Sequence, residues 1–391
     1  MKDFYYYTPT KVYFGKNVEA DVGNAVKTEG ASSVLVVYGG KSAIKSGLLD
    51  RVFKSLEEAG VSYCSLGGVK PNPRLSKVYE GIKIVKENNV EMILAVGGGS
   101  VIDTGKAIAA GAVYDGDVWD LYIGKSICAG SLPIGCVLTI SATGSEMSNG
   151  SVITNDENQL KRSFDSDYSR CRFAVMNPEL TYSLPTYQTA SGCVDIIMHT
   201  LERYFSKEYM SLSDSFCASV VKTIMKYCAT AINEPKNYEA RANIMWAGSL
   251  SHNGLTGCGT EGDWAPHMIE HELGGMYDVA HGAGLAAIWG SWARYVLDEN
   301  PERFAQFAAD IMGVDGDAGT AKEVALKGIC ALEDFFRSIS MPTTLRELGL
   351  EPTEEEIDTL ADRCCDGDTH TVGHFKKLAS ADVKEILLAA M

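Results

Sequence analysis

The chain has 391 residues, of which 46% are apolar and 22% are charged, and these fractions exclude disordered, collagen-like and coiled-coil chains. Its 51 Asp and Glu residues outnumber its 35 Lys and Arg residues, which gives a formal net charge of −16. A negative field of this size, with no Lys/Arg-rich segment to offset it, argues against general binding to nucleic acid or to anionic membrane surfaces. Any phosphate group must therefore be held locally, by backbone N–H groups at helix N-termini.

The start of the chain and its cysteines bear on its location. The opening residues, MKDFYYYTPTKVYFG, contain neither the apolar segment nor the cleavage site of a signal peptide. No apolar run approaches the roughly 20 residues of a membrane span. The 11 cysteines are scattered and form no Cys-x-x-Cys motif, which favours reduced, buried thiols. We expect a cytoplasmic protein.

The first 184 residues alternate between strand-like and helix-like patterns. Five short runs rich in β-branched residues predict strands at 33–38, 61–66, 92–96, 137–140 and 173–176. Amphipathic segments at 47–59, 75–88 and 101–112 predict helices between them. This rotation of strand, turn and helix is typical of βαβ units with a parallel sheet. From residue 185 to residue 391 amphipathic segments continue without strand alternation, which predicts an all-helical second domain.

A glycine-rich turn, Gly97-Gly98-Gly99-Ser100, follows the predicted strand at 92–96 and opens the next helix. Its backbone N–H groups and the helix dipole suit a pyrophosphate. The segment is neither a Walker loop nor the standard Rossmann fingerprint, because Ile102 stands where the third glycine of that fingerprint belongs. A tight strand–helix turn without a ligand remains the alternative. The polar turn at 139–146 either supplies hydroxyls to the same ligand or caps a helix.

The histidines are more specific. Asp195 and His199 are four residues apart in a predicted helix, as are His267 and His271, so each pair projects from one helix face. Taken singly, such pairs are ordinary helix-stabilising pairs. Together with His281 they offer one carboxylate and up to four imidazoles. Three neutral histidines and one aspartate suit a divalent ion with an open coordination position, and this set does not choose between Fe²⁺ and Zn²⁺.

These residues and a series of motifs resemble the iron-containing alcohol dehydrogenase family, in its branch of butanol dehydrogenases and NADPH-linked aldehyde reductases. The motifs run in order along the chain: TPTKVYFGK, GGVKPNPRL, AVGGGSVIDTGKAIAAG, ATGSE, DWAPHMIEHEL, AHGAGLA and VGHFKKLASADVKEILLAA. The resemblance implies the fold shared with dehydroquinate synthase. A Rossmann-like dinucleotide-binding α/β domain would span residues 1–184, and an all-α metal-binding domain would span residues 185–391. It also implies homodimers joined through the N-terminal strands.

The resemblance further assigns the site residues. The metal ligands would be Asp195, His199, His267 and His281, and His271 would be a non-ligand histidine that relays protons near the nicotinamide. The cofactor would contact a larger set of residues: Gly98, Gly99, Ser100 and Asp103 at the pyrophosphate, Thr139 and Ser141 on the nicotinamide side, and Gly39, Gly40, Ser42, Asn72 and Lys161 elsewhere.

One departure from the family bears on cofactor choice. Relatives that use NAD have an Asp at the end of the strand that here ends at Tyr38, where its carboxylate binds a ribose 2′-OH and repels a 2′-phosphate. In this chain Gly39 stands at that position, with Lys41 and Ser42 as donors beyond it. We therefore predict a preference for NADP(H), with use of NAD(H) left open.

The implied reaction is reversible hydride transfer between the nicotinamide and a short-chain primary alcohol or aldehyde of the butanol/butanal type, at one divalent metal. His271 would handle the proton. A rival within the same fold is a non-redox enzyme similar to dehydroquinate synthase, against which the motifs DWAPHMIEH and AHGAGLA argue. A third reading is a catalytically inactive nucleotide sensor.

Overall fold

A computed structural model describes residues 1–317 and 319–391. The described chain divides into two compact units. The first comprises residues 7–184 and 236–253, and the second comprises residues 1–6, 185–235 and 254–391.

The first unit contains a parallel sheet and a separate hairpin. The strands are β1 (Lys11–Phe14), β2 (Ser33–Tyr38), β3 (Ser62–Leu66), β4 (Met92–Gly97), β5 (Ile134–Leu138), β6 (Gly150–Thr154), β7 (Lys161–Asp165) and β8 (Phe173–Met176). Six of them form one sheet in the order β1-β8-β5-β4-β2-β3, and every neighbouring pair in it is parallel. The other two, β6 and β7, pair antiparallel.

The central strands are apolar on both faces because helices cover both sides of the sheet. In β2, Leu35 and Val37 pack into one hydrophobic cluster, whereas Val34 and Val36 pack into a second cluster. A parallel sheet buried in this way needs continuous β-branched runs rather than alternation, and such runs predicted these strands. The edge strand β1 is mostly exposed.

Seven helices belong to the first unit. They are α1 (Val22–Thr28), α2 (Ser42–Lys45), α3 (Leu48–Glu58), α4 (Leu75–Asn88), α5 (Gly99–Val113), α6 (Trp119–Tyr122) and α9 (Tyr238–His252).

The second unit is helical. Its helices are α7 (Thr186–Tyr204), α8 (Ser211–Asn233), α10 (Ala265–Tyr277), α11 (His281–Val296), α12 (Pro301–Asp310), α13 (Ala321–Ser338), α14 (Glu354–Cys364) and α15 (Ser380–Ala389). Apart from one isolated bridge between Val372 and Leu378, the described residues of this unit contain no strand pairing. The predicted fold class, a parallel α/β sheet followed by an all-helical part, is confirmed. Within the described ranges, no helix is both long enough and apolar enough to cross a membrane.

Candidate metal and nucleotide sites

Three helices of the second unit carry the predicted metal residues. Asp195 and His199 lie one turn apart on α7, His267 and His271 lie one turn apart on α10, and His281 is the first residue of α11. The first four residues are at most 7% exposed. The His281 side chain is 22% exposed and is the most open of the group.

Glycines in the AHGAGLA motif let these helices approach each other. A Cβ atom on Gly282 would lie 2.0 Å from the backbone oxygen of Ser191 on α7. Since real side chains do not tolerate that distance, glycine at position 282 permits the close contact between α7 and α11 that brings His281 to the cluster.

The carboxylate of Asp195 lies among the imidazoles. Its Oδ1 atom is 3.3 Å from Nδ1 of His199, 3.8 Å from Nε2 of His267 and 3.7 Å from Nε2 of His281. The ring of His271 stands beside this group, with its centroid 5.8 Å from that of His281. The structure thus brings together all five residues that the spacing pattern singled out.

Two glutamates complete the cluster. Nδ1 of His267 is hydrogen-bonded to Oε1 of Glu202, and Nδ1 of His281 is hydrogen-bonded to Oε2 of Glu270. A carboxylate can only accept, so each Nδ1 carries a hydrogen, and Nε2 is the nitrogen of each ring that faces Asp195. Glu202 and Glu270 were not predicted from the sequence. The sequence offers only their spacing as a signal, since each follows a cluster histidine by three residues.

The donor set fits a divalent cation. Among the described residues, Oδ1 of Asp195 and Nε2 of His267 are buried and accept no hydrogen bond. Burial lowers the pKa of the His267 imidazole, but the negative charges of Glu202 and Asp195 more than offset this and raise it to about 9. Converging acceptors in so negative a site are costly to bury unless a cation satisfies them. Nitrogen and oxygen donors of this kind suit both Fe²⁺ and Zn²⁺.

The predicted cofactor residues of the first unit cluster after the carboxyl ends of parallel strands. They are Gly39, Gly40 and Ser42 after β2, Asn72 after β3, Gly98, Gly99, Ser100 and Asp103 after β4, and Thr139 and Ser141 after β5. Two backbone bonds join neighbouring loops: Gly68 N–H donates to the Gly39 oxygen (2.9 Å), and Thr139 N–H donates to the Gly97 oxygen (3.0 Å). This edge of an open α/β sheet is where ligands bind.

The glycine-rich turn packs closely against the loop after β5. A Cβ atom on Gly98 would lie 3.0 Å from Cβ of Ile140, and one on Gly99 would lie 2.3 Å from Oγ1 of Thr143. Gly98 is the N-cap residue of α5, so the helix begins without a capping side chain over its first turn. A helix N-terminus of this form fits an anionic phosphate.

The carboxylate of Asp103 is turned into the protein. It accepts hydrogen bonds from Oγ of Ser145 (2.5 Å) and from the backbone N–H of Val152 (3.1 Å), and burial raises its pKa. One turn later, Nζ of Lys106 is fully buried and donates to the backbone oxygen of Gly150 at 2.7 Å. Both residues join α5 to β6.

Asn72 and Lys161 come together through the hairpin. Thr154 pairs with Lys161 across β6 and β7, and the Thr154 N–H donates to the backbone oxygen of Pro73 at 2.8 Å. Asn72 therefore lies beside the end of the hairpin that carries Lys161. Both side chains are buried, at 8% and 5% exposure.

Comparison with known proteins covers the whole chain. Residues 9–178 match the family described as iron-containing alcohol dehydrogenase, and residues 189–391 match the C-terminal domain of the same family. The chain is 41% identical over 392 residues to the probable NADH-dependent butanol dehydrogenase 1 of Bacillus subtilis, with 100% of each chain covered. It is 36% identical over 356 residues to the NADPH-dependent aldehyde reductase YqhD of Escherichia coli, with 90% of each covered.

The structure is similar as well. The crystal structure of NADH-dependent butanol dehydrogenase A from Thermotoga maritima superposes with a TM-score of 0.95 at 40% identity, covering 100% of this chain and 99% of that one. Sequence and fold thus match along the full length, including the segments that carry Asp195 and the histidines. The chain belongs to the iron-containing alcohol dehydrogenase family.

Proposed function

We propose that the protein is a metal-dependent alcohol dehydrogenase that interconverts short-chain primary alcohols and aldehydes of the butanol and butanal type, with a nicotinamide nucleotide as hydride carrier. The observation that carries this proposal is the convergence of the Asp195 carboxylate with the Nε2 atoms of His267 and His281. The full-length similarity to butanol dehydrogenases and to an aldehyde reductase supports the substrate class.

The metal would be held by Asp195, His199, His267 and His281. When bound, a divalent ion supplies a Lewis acid for the substrate oxygen, and the nicotinamide supplies or accepts the hydride. Glu202 and Glu270 hold a hydrogen at Nδ1 of His267 and His281, so Nε2 is the nitrogen of each ring that would bind the ion. We assign the proton of the substrate hydroxyl to His271, because its ring stands beside that of His281, with the two centroids 5.8 Å apart.

The nucleotide would be held by the loops after the parallel strands. Gly98, Gly99 and Ser100 at the start of α5 would take the pyrophosphate, with Asp103 bracing that turn through Ser145. The other contacts would come from the remaining predicted residues, namely Gly39, Gly40, Ser42, Asn72, Thr139, Ser141 and Lys161.

The cofactor is proposed to be NADP(H) rather than NAD(H). The turn after β2 contains no carboxylate, since Gly39 and Gly40 follow Tyr38, and the next residues, Lys41 and Ser42, are exposed donors. A 2′-phosphate there would meet positive charge and hydroxyl instead of repulsion. One of the relatives above is named NADH-dependent and the other NADPH-dependent. The proposed preference therefore rests on the residues that follow β2 in this chain.

A reloading assay tests the proposal. The purified protein is stripped of metal, reloaded separately with Fe²⁺ or Zn²⁺, and followed by NADPH and NADH absorbance after addition of butanal. We expect decay that needs metal and is faster with NADPH. Absence of decay with either metal and either nucleotide would contradict the proposal and favour an inactive nucleotide sensor. Faster decay with NADH would contradict only the cofactor preference.

The homodimer and the cytoplasmic location stay predictions. The edge strand β1 leaves Tyr13 and Phe14 more than one third exposed, which supports a homodimer joined through this strand. Light scattering on the purified protein measures the mass, and twice the chain mass of 42.2 kDa is the expected result.

A further inference from the structure

Two fully buried glutamates tie the three helices of the metal cluster together. Glu202 on α7 bonds to His267 on α10, and Glu270 on α10 bonds to His281 on α11. Each glutamate therefore contacts a histidine of the next helix. The two bonds form a continuous series from α7 through α10 to α11.

We infer that Glu202 and Glu270 are positioning residues that fix the imidazoles of His267 and His281 so that both Nε2 atoms face the metal. This inference rests on the proposed metal site. Glu202 and Glu270 would act on that site through the histidines, without touching the ion. Neither glutamate lies among the ligands that the sequence motifs assign.

The hydrogen-bond chemistry determines which nitrogen binds the ion. A neutral imidazole carries its hydrogen on one of two nitrogens, and a metal needs the other one bare. Because a carboxylate cannot donate, Glu202 and Glu270 place the hydrogens of His267 and His281 on Nδ1. The ring orientation is fixed at the same time, since a flipped ring would turn a carbon toward the carboxylate.

The two carboxylates also change the charge of the site. A divalent ion with Asp195 and neutral histidines has a net charge of +1, whereas Glu202 and Glu270 bring the total to −1. A buried carboxylate that is hydrogen-bonded to Nδ1 makes the imidazole more basic and strengthens the bond of its Nε2 atom to a cation.

A glycine on α11 provides the space for Glu270. A Cβ atom on Gly284 would lie 2.9 Å from Cγ of Glu270 and 3.2 Å from its Oε1. A methyl group at position 284 would thus push Glu270 away from His281 without removing any polar group.

The test measures metal affinity rather than turnover. The dissociation constant of Zn²⁺ is determined by competition with a chelator, and the ligand field is read from the visible spectrum of the Co²⁺ form. For E202A and E270A we expect about 10- to 100-fold weaker Zn²⁺ binding and an altered Co²⁺ spectrum. For E202Q and E270Q, whose amide oxygen still accepts the bond but carries no charge, we expect an intermediate loss. For G284A we expect Zn²⁺ binding that is as weak as in E270Q or weaker.

Two matched controls separate positioning from general damage. Glu333 is another buried glutamate, but its ion-pair partners among the described residues are Arg294 and Arg337 rather than a histidine. On the same helix as Gly284, a Cβ atom on Gly290 would collide with Oε1 of Glu333 at 1.9 Å. E333Q and G290A should lower thermal stability while keeping the wild-type affinity for Zn²⁺ and the wild-type Co²⁺ spectrum.

The outcomes are distinct. Wild-type affinity in the folded Glu202 and Glu270 variants would overturn the inference, as would equal losses in the controls. Should the alanine variants fail to fold, the glutamine variants and G284A decide in the same way. A wild-type protein that binds neither Zn²⁺ nor Co²⁺ would overturn the proposed metal site itself, and the inference with it.

Discussion

A single methyl group at Gly282 should disturb the proposed metal site. Gly282 follows His281 in the chain, and a Cβ atom there would lie 2.0 Å from the backbone oxygen and 2.8 Å from the carbonyl carbon of Ser191. Both clashing atoms are backbone atoms of α7, so no side-chain rotation can relieve the contact. Replacement by alanine must therefore move α11 away from α7.

The size of the movement follows from that distance. Non-bonded carbon and oxygen atoms keep about 3 Å or more apart, so the helices must separate by about 1 Å. Overpacking of this kind costs about 1–3 kcal/mol of unfolding free energy. Metal sites tolerate ligand displacements of only about 0.2 Å. A 1 Å shift of His281 should weaken metal binding about 10-fold or more.

The assay combines denaturant unfolding with a Zn²⁺ titration of the Gly282→Ala protein. Gly328→Ala is the matched control, because its Cβ atom would lie 2.4 Å from Cβ and 2.8 Å from Cα of Ala308, at the contact of α12 with α13. The control should lose comparable stability and keep its metal affinity. If Gly282→Ala binds Zn²⁺ like the wild type, the reasoning from helix contact to ligand position is wrong.

Three further predictions concern the cofactor and the pH dependence. Gly39→Asp should shift the ratio of kcat/KM for NADPH over NADH toward NADH by about 10-fold or more, because a carboxylate repels a 2′-phosphate. Gly99→Ala should weaken NADPH binding in a fluorescence titration while leaving Zn²⁺ affinity unchanged, since its Cβ atom would lie 2.3 Å from Oγ1 of Thr143. Burial raises the pKa of Asp263 to about 6, so its stabilising contribution is complete below the unfolded value near 3.8 and is lost as the pH rises through 6. The loss amounts to about 3 kcal/mol, and urea unfolding across that range should show it in the wild type but not in Asp263→Asn.

Each of these predictions has a contrary result. An unchanged nucleotide ratio in Gly39→Asp would mean that the ribose does not lie at the turn after β2. Unaltered NADPH affinity in Gly99→Ala would place the pyrophosphate elsewhere. If the free energy of unfolding changed equally with pH in the wild type and in Asp263→Asn, groups other than Asp263 would set that pH dependence.

The strands of the sheet could be predicted where burial on both faces requires a continuous apolar run in the sequence. The central strands β2 and β4 are covered on both faces and appear as uninterrupted apolar runs. Strand β5 begins at Ile134, three residues before the predicted start, because Gly135 and Cys136 lack the β-branched signal. The exposed edge strand β1 gave no signal of this kind. Neither did the hairpin of β6 and β7, since β7 begins with the polar residues Lys161 and Arg162.

Part of the proposed metal cluster could be predicted from residue spacing within single helices. Spacing of four residues places two side chains on one helix face, so Asp195 and His199 could be paired without knowing the fold. The contacts of Glu202 with His267 and of Glu270 with His281 join residues of different helices. Such contacts depend on how helices pack, which no local pattern encodes. The need for glycine in α11 could not be predicted either, because it depends on the residues of other helices that pack against it.

The predicted role of Asp103 stays a prediction, and the structure refines its form. The sequence resemblance places it at the cofactor pyrophosphate, whereas its carboxylate is already bonded to Ser145 and Val152. These partners come from a loop and from β6, more than 40 residues along the chain, and could not be inferred from the helix alone.

The most direct measurement is a metal titration of the apoprotein, followed at each point by butanal-dependent oxidation of NADPH, in the wild type and in Asp195→Asn. The account predicts that activity rises in proportion to bound metal and saturates at one equivalent per chain. It also predicts that Asp195→Asn binds metal about 100-fold more weakly and stays inactive at that equivalence point. If Asp195→Asn retained both tight binding and activity, Asp195 and the histidines around it would not be the metal centre of this enzyme.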